Sequence, residues 1–264
     1  MAGFGSSLGA LIGVGEATFA RRLRVATTPV IALFRLHTCE ASRALLPTIS
    51  RLAEQYQGQL TVLNIDIERS PNLAEQFGIR ATPTLVVLHE CEEVTRMVGF
   101  APEPLLRLLF EQVAQNALEP GRIWSPVEQV YEDAVLLPLL AAWGWQYQRQ
   151  VVCRVKKGEQ TSLGRIDVLA YATEPNRPQT LFEAKRHLAN REALQQAANQ
   201  ALGYALALDL TAFFVAAPMG LWLYRRDAER AQLVQRFSSL EVTLQPALIR
   251  QSLAVADPER CALS

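Results

Sequence analysis

The apolar positions of this chain change their period along its length, and those changes mark out its elements. From Val30 to Phe34 every residue is apolar, as in a strand covered on both faces. Between Glu40 and Tyr56, Leu45, Ile49 and Leu52 recur every three or four residues, as on a helix with one buried side. The same reading predicts strands over 10–14, 30–34, 60–65, 84–88 and 94–98, and helices over 16–23, 40–56, 71–77 and 102–117. Strand and helix alternate and then close on a hairpin, which predicts a mixed α/β sheet with helices on both faces. Residues 118–126, Leu-Glu-Pro-Gly-Arg-Ile-Trp-Ser-Pro, gather the Pro and Gly that punctuate domains. The expected organisation is a first domain over 1–118, a linker over 119–125 and a second domain over 126–264.

The second domain opens on an amphipathic helix over 126–143, in which Pro138 is expected to cause a kink and which Gly144-Trp145 ends. Alternation over 148–154 predicts a strand, and 155–159 a turn. A strand carrying Asp167 follows, then a loop over 173–179 centred near Pro175, and a strand over 180–185 that carries Glu183 and Lys185. A long helix spans 190–208. In the tail, 240–244 reads as a strand and a short helix starts at Pro246; no function is legible there.

Composition narrows the classes. The 264 residues carry zero net charge, which excludes nucleic-acid binding through a general positive field. Residues 120–230 hold 13 basic and 11 acidic side chains, too near parity to mark a face. Four scattered cysteines, Cys39, Cys91, Cys153 and Cys261, form neither a disulfide framework nor a zinc motif, so any thiol chemistry rests on one cysteine. No apolar run approaches the roughly 18 residues of a membrane helix, and the start lacks the basic region of a secretory signal. A cytoplasmic location without membrane partners is expected.

The candidate chemistry lies in Gly164-Arg165-Ile166-Asp167, Glu183-Ala184-Lys185 and Gln200-x-x-x-Tyr204. With the loop centred near Pro175, Asp167 falls about opposite Glu183 across two antiparallel strands, close enough to share an ion. Side chains alternate along a strand, so Glu183 and Lys185 share a face while Phe182 and Ala184 turn to a core. Carboxylates are the hard oxygen ligands that Mg²⁺ or Mn²⁺ takes, and a lysine beside them can orient or activate an attacking water. Gln200 and Tyr204, four residues apart, share one helical face. Glu128 or Glu132 can complete the acidic cluster from the opening helix. The chain has three lysines, Lys156, Lys157 and Lys185, and one of them occupies the Glu-x-Lys position. Lys156 and Lys157 offer phosphate contacts from the expected turn.

In the first domain the strand Val30–Phe34, the turn Cys39-Glu-Ala-Ser42 opening a helix that contains Pro47, Tyr56-Gln-Gly-Gln-Leu-Thr-Val, Phe77-Gly-Ile-Arg-Ala-Thr-Pro83-Thr-Leu and Val98-Gly-Phe together resemble thioredoxin. The resemblance implies a thioredoxin fold, with Pro83 as the cis-proline lying against the Cys39 turn. Three positions depart from that family: Ser42 replaces the second thiol, Thr38 the preceding tryptophan, and Leu33 the buried acid. Ordinary dithiol exchange is therefore not expected. Cys39 keeps a helix N-terminus, which favours the thiolate, with His37 nearby as a surface residue and Glu40 opposing. Cys91 falls at the opposite pole of the sheet and cannot resolve a Cys39 disulfide.

In the second domain Glu128, Leu-Leu-Pro138-Leu-Leu, Gly144-Trp145, Gly164-Arg-Ile-Asp167, Phe182-Glu183-Ala-Lys185, Gln200-x-x-x-Tyr204, Met219-Gly220-Leu-Trp222 and Tyr224 occur in an order similar to the PD-(D/E)XK nuclease domain that begins type I restriction enzyme R subunits. The Gln-x-x-x-Tyr element is shared with RecB-like nucleases. This resemblance implies a restriction-endonuclease-like α/β fold in which Glu128, Asp167 and Glu183 bind Mg²⁺ or Mn²⁺ and Lys185 assists catalysis. It also implies that Gln200 and Tyr204 contact the nucleic acid or position the site, and it favours Glu128 over Glu132. The expected function is a metal-dependent nuclease, with DNA preferred to RNA and endonuclease action preferred, carrying a monothiol domain for docking or redox regulation. Cutting both strands from one site requires a homodimer or a second binding event. The alternative is a non-cleaving protein that binds nucleic acid or a partner and captures a protein thiol through Cys39.

Overall fold

The structure, a computed structural model, describes residues 10–118, 122–157, 160–172 and 177–257. Residues 119–121 of the expected linker, Gly158 and Glu159 of the expected turn, Pro175 in its loop, and Cys261 lie outside these residues. The chain divides into two compact units, Met1–Ser125 and Pro126–Ser264. Among the described residues no helix is long and apolar enough to cross a membrane.

The first unit runs β1 (Leu11–Val14), α1 (Glu16–Val25), β2 (Val30–Arg35), α2 (Glu40–Gln55), β3 (Thr61–Asp66), α3 (Pro71–Gln76), β4 (Thr84–His89), β5 (Glu92–Val98), α4 (Glu103–Ala114) and β6 (Arg122–Ile123). Its sheet has the order β1-β3-β2-β4-β5-β6. β2 pairs parallel with β3 and antiparallel with β4, so the sheet is mixed. The uninterrupted apolar run has its expected cause: Val30, Ala32 and Phe34 pack with Phe19 of α1 and Leu73 of α3, while Ile31 and Leu33 are buried on the other side. The segment read as a linker behaves differently in part. Arg122 and Ile123 pair parallel with β5, and the Trp124 N–H donates to Arg96 O at 2.8 Å. The open edge of β5 offers backbone partners that a Pro-Gly signal does not reveal.

The second unit is mostly sheet. After β7 (Gln146–Lys157) and β8 (Gln160–Tyr171) come β9 (Thr180–Ala184), α7 (Arg191–Ala207), β10 (Ala212–Ala217), β11 (Gly220–Asp227) and β12 (Arg230–Ser238), ordered β12-β11-β10-β9-β8-β7. Among the described strands of this unit only the β9–β10 pair is parallel, and α7 is its crossover. The opening helix is not continuous: α5 (Glu128–Tyr131) passes through a π-helical turn, Glu132–Leu136, into α6 (Leu137–Trp143). Pro138 lacks the N–H that would bond the carbonyl four residues back, and the backbone relieves this by widening upstream. α6 ends at Gly144, whose φ of 73° is the left-handed conformation glycine adopts freely. Behind the sheet, Phe182 and Phe214 stack at 4.8 Å and Trp143 of α6 packs near both.

Two expectations in this unit are corrected. The turn expected over 155–159 does not begin at 155, because Val155, Lys156 and Lys157 continue β7 in its pairing with β8. Residues 240–244 are helix, within α8 (Ser239–Leu244), followed by α9 (Pro246–Ala256), and the strand lies earlier, at β12. The cause is a capping box, in which the Ser238 hydroxyl accepts the Glu241 N–H and the Glu241 carboxylate accepts the Ser238 N–H. That local pairing overrides the β preference of Val242 and Thr243.

Gly164 fixes how closely α7 approaches β8. A Cβ there would collide with the Tyr204 ring and lie 3.1 Å from Val155 Cγ2. Gly164→Ala is therefore expected to destabilise the second unit by about 1–3 kcal/mol through overpacking. Urea unfolding followed by tryptophan fluorescence measures this. A loss below about 0.5 kcal/mol, the range of an ordinary surface change, would contradict the close contact.

Candidate functional site

β9 is buried at all five positions, yet its fourth residue is Glu183, 1% exposed. Its register with β8, which pairs Phe182 with Val168, sets Asp167 opposite Glu183 when continued by one residue. Asp167 Oδ2 accepts the Ala184 N–H at 2.8 Å, which ties the two strands together at this step. The Lys185 N–H extends the other edge by donating to Ala216 O at 2.8 Å, and its ammonium turns back to donate to Glu183 Oε1. The other oxygen, Glu183 Oε2, is buried with no hydrogen-bond partner. From α5, Glu128 Oε1 accepts the Arg186 N–H at 3.1 Å, and its charge acts on Asp167, Glu183 and Lys185.

These residues fit a hard divalent cation. Glu183 Oε2 has lost water and gained no donor, a costly state for a carboxylate, and the neighbouring Asp167 and Glu128 offer the same oxygen chemistry. Their oxygens are nonetheless held apart by separate partners. Among the described residues, the group whose ligand atoms lie within 4.8 Å of one another is His37, Asp66 and Glu68 in the first unit. That group is built differently: the exposed His37 is held by Glu68, Nδ1 to Oε2, at 2.7 Å.

The electrostatics follow from burial. Burial pushes Glu183 up to about 7, Asp167 adds to the rise, and Lys185 opposes it. Asp167 is also raised, chiefly by burial and further by Glu128, against the Ala184 N–H and Lys185. For Lys185 burial alone would lower the ammonium, but the hydrogen bond and charge of Glu183, with Asp167 and Glu128, outweigh it and hold the group above the ordinary lysine value. Lys185 is thus a charged donor.

Glu132 occupies a different place. It is buried, and Arg149 of β7 donates to its Oε2 from Nε at 3.0 Å and Nη2 at 2.6 Å, while Nη1 reaches Asp133 at 2.7 Å. This ion pair fastens the π-helical turn to β7, and the charge of Asp167 acts on Glu132 as the charge of Glu128 acts on Asp167. Gln200 Nε2 donates to Tyr204 Oη at 3.1 Å. Tyr204 is buried against Gly164, three residues before Asp167, so it braces the strand, while Gln200 is exposed.

Sequence reasoning missed Gln150. It stands opposite Asp167 between the Arg149–Val168 and Val151–Ile166 pairs, has φ of 53° in mid-strand, and donates from Nε2 to Asp167 Oδ1 at 3.4 Å. A non-glycine residue in that conformation is strained, and here the strain sits beside the half-buried Asp167. Nothing in the run Gln148-Arg-Gln-Val distinguishes it from ordinary strand.

The first unit brings together the other expected group. Cys39 is the N-cap of α2, and its thiol donates to Thr82 O at 3.4 Å, next to the Thr82–Pro83 cis peptide. Ser42 is buried, and its Oγ accepts the Leu36 N–H at 3.5 Å. Partial burial would raise the Cys39 thiol, but hydrogen bonds from the Ser42 hydroxyl and N–H and the Ala41 N–H outweigh it and hold the thiol below its ordinary value. His37 is turned to Glu68. Cys91 lies beyond the far end of β4, at φ of 67°.

A mixed sheet with a thiol at the N-terminus of α2 and a cis-proline beside it defines a thioredoxin-like domain. The thioredoxin family model matches residues 11–111. Thioredoxin 1 of Synechococcus elongatus is 31% identical over 93 residues, covering 35% of this chain and 87% of that protein. Thioredoxin 1 of Nostoc sp. is 29% identical over 99 residues, 38% of this chain and 92% of its own, and the chloroplastic M-type thioredoxin of Zea mays is 32% identical over 85 residues, 32% and 51% respectively. Through its first unit the chain belongs to the thioredoxin family.

The buried acid makes a pH prediction. Native Glu183 keeps its proton up to about 7, whereas an unfolded glutamate releases it near 4.5, so between these values the native state binds more protons. The associated stability is complete below 4.5 and is lost as pH rises through 7, amounting to about 3 kcal/mol. Unfolding in EDTA at pH 5 and pH 8, read from Trp143, Trp145 and Trp222, should show that loss in the wild type and a smaller one in Glu183→Gln. Equal losses in both would contradict the assignment.

Proposed function

We propose that the second unit is a PD-(D/E)XK nuclease that hydrolyses phosphodiester bonds, with DNA as its target, and that the first unit serves it as a monothiol docking or redox-responsive domain. The observation that carries this reading is the orphaned oxygen of Glu183, set across β8 and β9 from Asp167 with Lys185 on its other oxygen. Glu128, Asp167 and Glu183 would hold Mg²⁺ or Mn²⁺, which supplies a water of lowered pKa and neutralises charge on the phosphate. Lys185, beside Glu183, would orient the attacking water or meet the phosphate oxygen that gains charge. The backbone tie from Ala184 to Asp167 and the brace of Tyr204 on Gly164 keep these groups in place.

Digestion of single- and double-stranded DNA with Mg²⁺ or Mn²⁺ tests the reading. Wild type is expected to cut, and Lys185→Ala to be slower by about 100-fold or more, the usual effect of removing one transition-state donor. No cleavage by the wild type, or equal cleavage by the variant, sinks it.

A second reading rests on Cys39. Its helix N-terminus and lowered thiol suit mixed-disulfide formation with a protein partner, and Ser42 supplies no thiol to release that partner. In this reading the second unit binds nucleic acid or a partner without cutting. Thiol trapping should give adducts that vanish in Cys39→Ser; adducts that persist in that variant, or none in the wild type, remove its mechanism.

A further inference from the structure

Beyond Asp167 the β7–β8 hairpin leaves the sheet. β9 pairs with β8 only over Val168–Ala170, while the seven pairs from Val151–Ile166 to Lys157–Gln160 continue with no third strand among the described residues. At about 3.3 Å per residue this makes a two-stranded ribbon roughly 20 Å long that starts beside the acidic cluster. One face is covered over its first part, where Cys153, Val155 and Ile166 belong to the core beneath α7, while Ser162 and Gln160 farther along it are exposed. The other carries Val152, Arg154 and Lys156 on β7 opposite Arg165, Leu163 and Thr161 on β8, all exposed.

This outer face has two unusual properties. Arg154, Lys156 and Arg165 make no ion pair among the described residues, and from Gln146 to Ile166 the sequence holds a single acid, Glu159, against five basic residues, Arg149, Arg154, Lys156, Lys157 and Arg165. Between these three cations sit Val152 and Leu163, 58% and 73% exposed, apolar side chains left open to solvent. Unpaired cations flanking apolar groups suit a surface that meets phosphates at its margins and base edges at its centre.

We infer that this ribbon is a duplex-DNA-binding element that enters the major groove, with Arg154, Lys156 and Arg165 on the phosphates and Val152 and Leu163 against the base edges. A B-form major groove, about 12 Å wide, admits a two-stranded ribbon, whereas the A-form groove of duplex RNA is too narrow. Single strands are held by aromatic stacking, and the outer face contains no aromatic residue. The inference rests on the nuclease reading only for what the bound DNA meets at the foot of the ribbon; binding itself requires no cleavage. It also accommodates zero net charge, because the positive field is confined to one hairpin.

The test is fluorescence anisotropy with the full chain in EDTA, using labelled duplex DNA, duplex RNA and single-stranded DNA of equal length at several salt concentrations. Wild type is expected to bind duplex DNA most tightly. The variant Arg154→Gln/Lys156→Gln/Arg165→Gln, changed only at exposed positions and checked for native circular dichroism, should bind at least tenfold more weakly, with a salt slope shallower by about 2 to 3. Should it lose its fold, Leu163→Ser alone is expected to weaken duplex binding without changing the slope. Unchanged affinity and slope in the triple variant, a preference for RNA or single strands, or no binding by the wild type would overturn the inference. Cleavage in Mg²⁺ is scored separately: binding through the ribbon without cutting retains the inference and removes the nuclease, and cutting unaffected by the triple variant does the reverse.

Discussion

The second unit is organised around a carboxylate that its own strand works against. A glutamate in a strand buried at every position gives up most of its hydration, and such a group persists when it is paired, protonated or bound to a cation. Glu183 shows parts of two of these answers, since Lys185 takes one oxygen and burial favours the proton, while its second oxygen stays without a partner. The surrounding features can be understood as support for that arrangement. Asp167 is tied to the backbone of β9, Tyr204 fills the space that Gly164 leaves open, and Arg149 fastens the helical turn beyond Glu128. A strand chosen for stability alone would place an apolar residue at this position.

Much of the fold was legible because burial writes itself into period. The all-apolar β2 and the three-to-four spacing of α2 follow from their environments, and the structure places both within a residue of expectation. Legibility failed where a local hydrogen bond or a tertiary partner outweighed propensity. Val242 and Thr243 favour strand, but the Ser238–Glu241 box closes a helix over them. Arg122 and Ile123 follow a Pro-Gly signal, but the edge of β5 recruits them. The length of the β7–β8 ribbon also escaped, because two lysines and a glycine resemble a turn whether or not strand precedes them.

The candidate site was legible in its acids and its lysine and opaque in its supports. Acid, Glu-x-Lys and Gln-x-x-x-Tyr stand out by spacing, and the register brings Asp167 and Glu183 together. Arg149 and Gln150 are invisible in sequence, since their roles depend on which residue lies across the hairpin. In the first unit the N-terminus of α2 and the turn before Pro83 are those of a thioredoxin, while the missing second thiol alters what the turn can do. A lowered thiol without a resolving partner forms lasting adducts more readily than it turns over. Fusion of such a domain to the second unit places a lone thiol at a helix N-terminus and an acidic cluster around the buried Glu183 in one chain.

The most direct test of the central claim is a crystal structure determined in Mn²⁺, with the ion located by its anomalous scattering. The account predicts a peak bridging Asp167 and the now-satisfied Glu183 Oε2, with Glu128 turned toward it. Mn²⁺ found only at His37, Asp66 and Glu68, or a Glu183 bound solely to Lys185, would contradict it.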